Sequence, residues 1–247
     1  MSSCSPSGSP TFHVEQTPSR VVPEAPDGAR LLFGDQLGAI KAYAATLADT
    51  GVDHGLIGPR EVPRLWDRHL LNCGAVAELI AADSTVADLG SGAGLPGLVL
   101  AIARPDLHIV LLEPLQRRVT WLETTIRDLH LENVVVRRDR ADQATDLQVD
   151  VVTSRAVAAL PKLARWSLPL LREHGTMLAL KGSSAEAELA SAVQMLKQAG
   201  ATSCDVVQCG GKIIDPPATV IRIRLGDRAR RDTRVKRAFR GTSGGSR

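Results

Sequence analysis

The stretch Val86-Ala-Asp-Leu-Gly-Ser-Gly-Ala-Gly-Leu-Pro-Gly-Leu98 joins a short apolar run to a turn that contains four glycines. Gly90, Gly92 and Gly94 have no side chain to keep a ligand away from the backbone, and glycine also permits positive φ. Pro96 suits the first position of a following helix, because an N–H there would have no helical partner and proline has none to lose. The stretch therefore predicts a strand, a turn that a ligand can approach closely, and a helix.

Downstream of this turn, short β-branched segments alternate with helical patterns. The predicted strands cover residues 86–89, 108–112, 133–137, 149–153 and 176–180, and the predicted helices cover 96–104, 115–129, 159–171 and 185–199. Such alternation indicates a doubly wound parallel sheet. Segments 203–208 and 218–225 then follow each other across a connection rich in Gly and Pro at 210–217, which predicts a closing antiparallel hairpin.

Two helical patterns precede the first predicted strand. The first ends near residues 50–51, and its apolar members are Phe33, Leu37, Ile40, Ala44 and Leu47. The second runs from 63 to about 80, and its apolar members are Trp66, Leu70, Cys73, Ala77 and Ile80. We expect a helical cap over residues 30–82 of a domain that spans 30–225, preceded by a flexible leader, 1–29, that is rich in Ser and Pro.

The chain has no pattern that predicts a membrane span, export or metal binding. No apolar run approaches the roughly 20 residues that a span needs, and the start Met-Ser-Ser-Cys-Ser-Pro lacks the features of an export signal. The four cysteines lack the paired spacing of a zinc site, and we interpret Cys73 as a core residue. We predict a cytoplasmic protein with no membrane partner and no metal.

The C-terminal segment 226–247 is basic. It contains eight Arg and Lys residues against two Asp, a net charge of +6, while the rest of the chain carries −3. The segment fits an arm that binds phosphate backbones. It fits a solvated tail without a partner equally well.

The glycine turn, residues 90–97, fits two classes of cofactor. Residues 92–97 satisfy the G-x-G-x-x-G pattern of dinucleotide sites, and Glu113 follows about 20 residues later, so an NAD-dependent dehydrogenase is one interpretation. However, Asp88 begins an Asp-x-Gly-x-Gly pattern that resembles the first motif of class I methyltransferases, and two helices precede the strand. We predict an α/β class I (Rossmann-like) methyltransferase fold that binds S-adenosylmethionine. Its mostly parallel seven-stranded sheet would have a C-terminal antiparallel hairpin and N-terminal capping helices.

Two acids follow predicted strands. Glu113 ends the second strand, where its two acceptor oxygens can bind the ribose hydroxyls of a nucleoside; the alternative is a surface acid that caps the helix near Leu115. Asp142 follows the third strand, where an acid can bind the adenine amine.

Several motifs together point to one family. Asp88-Leu-Gly-Ser-Gly-Ala-Gly-Leu-Pro-Gly97, with Arg68-His69, Ser154-Arg155-Ala156 and Ala179-Leu-Lys-Gly182, resembles the bacterial ribosomal RNA small-subunit methyltransferase G family, also called glucose-inhibited division protein B. The resemblance implies methyl transfer from S-adenosylmethionine to N7 of a guanine in the decoding region of 16S rRNA. The partner that it implies is small-subunit ribosomal RNA or a ribosomal particle.

The resemblance also implies which residues contact the cofactor. These are Gly90 and Leu95 in the turn, Ala141 and Asp142 after the third strand, and Arg155 after the fourth; the turn geometry adds Gly92. The chain departs from the family pattern at Asn72-Cys73, where many relatives have Asp-Ser, and this weakens any role for the polar end of that helix.

Methylation of guanine N7 needs no general base, because N7 presents a free lone pair at neutral pH and positioning can supply most of the effect. Enzymes that methylate exocyclic amines commonly carry Asn/Asp-Pro-Pro-Tyr/Phe after the fourth strand, where this chain has Ser154-Arg155-Ala156-Val157. We interpret the Asp-Pro-Pro at 215–217 as a turn. We therefore predict direct in-line transfer without a catalytic acid, base or nucleophile.

Arginine and lysine are the candidates for RNA binding, since only seven aromatic residues are present. Arg60, Arg64 and Arg68 recur every four residues, which aligns them on one face if the helix begins before Pro63; a solvated face is the alternative. Lys181, at the end of the fifth strand, is a further candidate. His69 either contacts RNA or joins helix to sheet.

Arg155 needs a partner, because a guanidinium beside a sulfonium is unfavourable. We expect it to pair with Asp142 or Glu113, or to contact RNA phosphate. The remaining functional alternative is a non-catalytic ribosome-binding factor with the same fold.

Overall fold

Seven strands form one sheet within residues 20–227, the part of the chain that this computed structural model describes. The strands are β1 (Thr85–Leu89), β2 (His108–Leu112), β3 (Val134–Arg137), β4 (Val149–Arg155), β5 (Leu171–Lys181), β6 (Ala201–Cys209) and β7 (Ala218–Leu225). Their order is β3-β2-β1-β4-β5-β7-β6, and β7 runs antiparallel between β5 and β6. The predicted parallel sheet with its closing hairpin is confirmed.

Both faces of the sheet are covered, so the central strands are apolar almost throughout. In β1, Val86 packs on the face that carries the N-terminal helices, whereas Ala87 and Leu89 pack on the opposite face. Parallel sheets require this two-sided burial, because the crossover helices lie on both faces.

Seven α-helices surround the sheet: α1 (Asp27–Phe33), α2 (Leu37–Thr46), α3 (Asn72–Gly74), α4 (Gly97–Ala103), α5 (Gln116–Asp128), α6 (Leu160–Ser167) and α7 (Ala185–Gln198) within the described range. Cap residues, α4 and α5 bury side chains on one face, and α6 and α7 on the other. The predicted helix 159–171 extended beyond the true C-terminal end of α6 at Ser167. A 3₁₀ turn, Leu168–Leu170, ends the helix, and Leu171 already belongs to β5.

The N-terminal cap is less regular than a pair of α-helices. Between α2 and α3 the chain forms π turns at Leu47–Gly51 and Leu65–Leu71 and a 3₁₀ helix at Pro59–Arg64, and another 3₁₀ helix, Ala75–Leu79, follows α3. The second helical segment thus begins at Pro59, not at the predicted Pro63, which lies inside the 3₁₀ helix. Pro59 occupies the first helical position, which suits a proline. The predicted apolar face is confirmed: Trp66, Leu70 and Cys73 are buried.

The ordered cap begins before the predicted boundary at residue 30. Asp27 starts α1, Ala29 is fully buried, and Trp66 donates a hydrogen bond from Nε1 to the carbonyl of Pro23 at 2.8 Å. We therefore use "the cap" for residues 27–79. Residues 1–19 of the predicted leader lie outside the described residues. The same holds for residues 228–247, which are nearly all of the basic segment.

No helix in residues 20–227 is both long enough and apolar enough to cross a membrane.

Candidate functional site

The glycine turn leaves the carboxyl end of β1 with three residues at positive φ: Gly90 (66°), Gly92 (57°) and Gly94 (85°). The N–H of Gly90 donates to the carbonyl of Leu112 at 2.9 Å, which ties the turn to β2. A methyl group at Gly92 would meet nothing nearer than the Gly90 carbonyl oxygen at 3.8 Å. The turn therefore opens onto free space at Gly92, which fits a ligand that approaches the backbone.

The later glycines of the turn serve packing. A Cβ atom at Gly94 would lie 2.5 Å from Leu98, and one at Gly97 would collide with Leu111 and come within 2.8 Å of Asp88 Oδ2. The absence of these side chains lets α4 start directly against the sheet. The helix begins at Gly97, so Pro96 is its cap residue and not its first residue as predicted.

Glu113 links the turn to the start of α5. Its side chain is 1% exposed; Oε2 accepts from the N–H of Gly92 and Oε1 from the N–H of Leu115, both at 3.0 Å. Nη1 of Arg118 lies 3.6 Å from Glu113 Oε2. Glu113 is thus a buried residue beside both the turn and the helix start, and not the surface acid of the alternative interpretation. Each carboxylate oxygen has a second lone pair, which suits the predicted ribose contact.

Asp88 lies beneath the turn and is fully buried. Oδ2 accepts from the N–H of Gly97 at 3.1 Å, while Oδ1 has no hydrogen-bond partner among the residues that the structure describes. Burial raises the pKa of this carboxyl to about 7, because an enclosed charge loses its hydration.

Arg155, at the end of β4, bonds to the cap and not to Asp142 or Glu113 as we predicted. Nη2 donates to His69 Nδ1 at 2.7 Å, and Nη1 donates to Cys73 Sγ at 3.3 Å. The next residue, Ala156, has φ of 55°, a left-handed conformation that is strained for a residue with a Cβ atom. The partners of Arg155 are therefore a neutral ring nitrogen and a buried thiol.

His69 continues this contact to the outer side of the cap. Its Nε2 lies 2.8 Å from Glu61 Oε2, and the same oxygen lies 3.2 Å from Arg68 Nε. Burial, reinforced by the charge of Arg155, lowers the pKa of His69 to about 4. The imidazole is neutral near pH 7, with Nδ1 accepting from Arg155 and the Nε2–H donating to Glu61.

Comparison with known proteins agrees with this geometry. The family model described as rRNA small subunit methyltransferase G matches residues 36–215. The protein named ribosomal RNA small subunit methyltransferase G from Thermobifida fusca is 55% identical over 83% of this chain and 86% of its own. The one from Renibacterium salmoninarum is 54% identical over 80% of this chain and 93% of its own.

The chain belongs to the rRNA small subunit methyltransferase G family. It is therefore a methyltransferase, and its cofactor is S-adenosylmethionine.

Solved structures share the fold at low identity. An Agrobacterium tumefaciens protein described as a predicted O-methyltransferase has a TM-score of 0.50 and 17% identity, over 62% of this chain and 80% of that chain. A Corynebacterium glutamicum protein has a TM-score of 0.50 and 14% identity, over 75% of this chain and 90% of that chain. The predicted Rossmann-like methyltransferase fold is confirmed, and neither the dehydrogenase nor the non-catalytic alternative is supported.

The structure places the predicted cofactor residues at three positions, one of which is Arg155 at the end of β4. Gly90, Gly92, Leu95 and Glu113 lie together at the turn. Ala141 and Asp142 lie in the loop between β3 and β4, where Asp142 is exposed and pairs with Arg140 at 3.0 Å. Their contact with the cofactor stays a prediction.

The predicted RNA-binding residues also divide. Arg60, Arg64 and Arg68 are exposed, but a 3₁₀ helix contains the first two. A 3₁₀ helix has about three residues per turn, so residues that are four apart differ in direction by about a third of a turn. Arg60 and Arg64 therefore do not share a face as predicted. Lys181 bonds within the fold, to the Ala158 carbonyl at 3.0 Å and Glu188 at 2.7 Å, and His69 likewise joins helix to sheet.

Tyr43 and Glu61 are site residues that the sequence alone did not reveal. The fully buried Tyr43 hydroxyl donates to the carbonyl of Ala93, which links α2 of the cap to the glycine turn. The signal was present: Tyr43 lies three residues after Ile40 on the buried face of α2, and a buried phenol requires a hydrogen-bond partner. No comparable signal marked Glu61.

Proposed function

We propose that this protein transfers a methyl group from S-adenosylmethionine to N7 of a guanine in 16S ribosomal RNA, by direct in-line displacement without a covalent intermediate. The observation that best supports this proposal is the free space at Gly92 in a chain of this family. The buried Glu113 lies beside that space and accepts a hydrogen bond from the N–H of Gly92.

The residues of the turn fit a nucleoside cofactor in distinct ways. Gly90, Gly92 and Leu95 would contact it along the backbone, and Glu113 would accept hydrogen bonds from the ribose hydroxyls. When bound, S-adenosylmethionine supplies the methyl group as a substituent of its sulfonium sulfur. The turn would hold this cofactor in place for the acceptor, and positioning is the main requirement for an in-line displacement.

Three titratable groups near the turn are enclosed or engaged in internal contacts. Asp88 is enclosed, His69 is bonded on both ring nitrogens, and Cys73 contacts Arg155 while burial raises the pKa of its thiol. None of these three is poised as a base or nucleophile. This agrees with guanine N7 as the acceptor, because its lone pair needs no deprotonation.

Exposed arginines would hold the RNA. Arg60, Arg64 and Arg68 lie on the cap, and Arg68 belongs to the contact chain that ends at Arg155. The basic residues of 226–247 would add further phosphate contacts. A ribosomal substrate also agrees with the predicted cytoplasmic location.

The test is methyl transfer in vitro. Labelled S-adenosylmethionine is incubated with the protein and with small ribosomal subunits or 16S rRNA. The subunits and the RNA come from cells that lack this protein, and mass spectrometry identifies the modified nucleoside. We expect one N7-methylguanosine per 16S molecule. Label at an exocyclic amine, at carbon or at ribose would refute the proposal.

A further inference from the structure

The side chain of Arg155 is partly buried and has an unusual set of partners for such a cation. Its two hydrogen bonds go to His69 Nδ1 and Cys73 Sγ, neither of which carries a charge in this environment. Within residues 20–227, therefore, no carboxylate neutralises this positive charge by direct contact. The acid of this chain of contacts, Glu61, lies beyond the imidazole ring.

This arrangement fixes direction without cancelling charge. A bidentate carboxylate would take two of the five N–H donors and would also cancel the charge of the guanidinium. His69 and Cys73 together take two donors and leave the charge in place. The remaining donors stay available for another acceptor. The left-handed Ala156 constrains the backbone at the same point.

We propose that His69, oriented by Glu61, is a positioning residue that holds Arg155 for contact with the bound cofactor. This inference rests on the proposed function, because it concerns the same cofactor site. Glu61 accepts the hydrogen of Nε2 and thereby keeps Nδ1 as the acceptor. The imidazole transmits this orientation across the gap between cap and sheet.

Two amide variants separate the two bonds of His69. In His69→Asn the amide oxygen occupies about the place of Nδ1 and can still accept from Arg155. In His69→Gln the amide nitrogen reaches about the place of Nε2 and can still donate to Glu61, but the acceptor for Arg155 is lost. Both variants remove the same ring.

The readout is the dissociation constant for S-adenosylmethionine, measured by calorimetry on variants that retain the wild-type circular dichroism. We expect His69→Asn to bind within about threefold of wild type and His69→Gln about tenfold more weakly. Arg127→Ala, which removes an exposed arginine at the C-terminal end of α5, should leave this constant unchanged. Equal losses in both His69 variants would overturn the inference, because they would report only the loss of packing.

A double-mutant cycle gives a second measurement that a merely structural role would not satisfy. If His69 acts through Arg155, then His69→Gln should cause no further loss once Arg155 is alanine. Additive losses, or unchanged affinity in Arg155→Ala alone, would overturn the inference. A wild-type protein that fails to bind S-adenosylmethionine would overturn the proposed function as well, whereas normal wild-type binding with an additive cycle would overturn this inference alone.

Discussion

Asp88 is the most strongly enclosed acid of the site. One oxygen accepts from the N–H of Gly97, the other has no partner, and Glu113 adds a like charge nearby. Its carboxyl therefore keeps a proton in the folded protein at pH values at which an unfolded chain has already lost it.

Replacement of Asp88 by Asn should change the pH dependence of stability. Between about pH 4 and pH 7 folded Asp88 binds more protons than unfolded Asp88, so the wild type loses stability as pH rises. Asn does not titrate. Relative to wild type, the free energy of unfolding of Asp88→Asn should rise by up to about 1.4 kcal/mol per pH unit in this window.

Urea unfolding at several pH values measures this difference, and the titration of His69 cancels because both proteins contain it. A difference that stays flat from pH 4 to 7 would show that Asp88 is ionised in the folded state.

Tyr43 holds the glycine turn from the cap. Tyr43→Phe leaves the buried carbonyl of Ala93 without its donor, so we expect a loss of about 1–3 kcal/mol in the free energy of unfolding and weaker cofactor binding. Ile40→Val, on the same buried face, should cost about 0.5–1.5 kcal/mol but leave cofactor affinity unchanged. Equal affinities in Tyr43→Phe and wild type would limit Tyr43 to a packing role.

At this scale the sequence predicted the turn and its acid but not the contacts of Arg155. Gly92 and Glu113 are 21 residues apart and belong to one βαβ motif whose geometry is general. Arg155 and His69 are 86 residues apart, on a strand and in the cap, and no local pattern relates them. We expected an acid near Arg155 because a guanidinium beside a sulfonium is unfavourable without a partner, yet the fold supplies neutral partners.

At the scale of elements, the strand and helix alternation was predictable because apolar periodicity differs clearly between the two. The cap was harder, since α, 3₁₀ and π turns bury apolar residues at overlapping spacings. Pro59 and Pro63 are both compatible with a helix start, and the choice of the wrong one placed Arg60 outside the helix and left the 3₁₀ geometry unrecognised.

The exposed arginines of the cap give a prediction for this element. Arg60→Ala and Arg64→Ala should each weaken RNA binding and reduce the slope of log affinity against log salt by about 0.7 to 0.9, the effect of one phosphate contact. Arg127 is exposed at the C-terminal end of α5, and Arg127→Ala should change neither the RNA affinity nor the salt slope. Filter binding at several salt concentrations measures the slopes. Slopes equal to that of the wild type in all three variants would show that these arginines of the cap do not bind phosphate.

At the scale of the whole molecule, the position of β7 decides between the two cofactor interpretations. Dinucleotide folds continue a parallel sheet in the order 3-2-1-4-5-6, whereas here β7 lies antiparallel between β5 and β6. The hairpin was visible in the sequence. The insertion of its second strand next to β5 was not, because either strand of a hairpin can pair with the sheet.

The basic C-terminal segment lies almost entirely outside the described residues, so its role is tested by deletion. Removal of 228–247 takes away eight basic residues and one aspartate. We expect weaker binding to ribosomal RNA with a flatter salt dependence, because phosphate contacts are lost. Cofactor affinity and thermal stability should barely change. An unchanged salt slope would leave RNA binding to the cap alone.

The most direct test of the account is calorimetric binding of S-adenosylmethionine to matched glycine variants. Gly92→Asp places a carboxylate in the open space of the turn, and Gly55→Asp makes the same change at an exposed loop glycine that also has positive φ and no neighbour within 4 Å. Asp tolerates this backbone conformation better than most residues. We predict that Gly55→Asp binds like wild type and that Gly92→Asp binds at least about a hundredfold more weakly, a loss of about 2.7 kcal/mol. Wild-type affinity in a folded Gly92→Asp protein would contradict the assignment of this turn as the cofactor site.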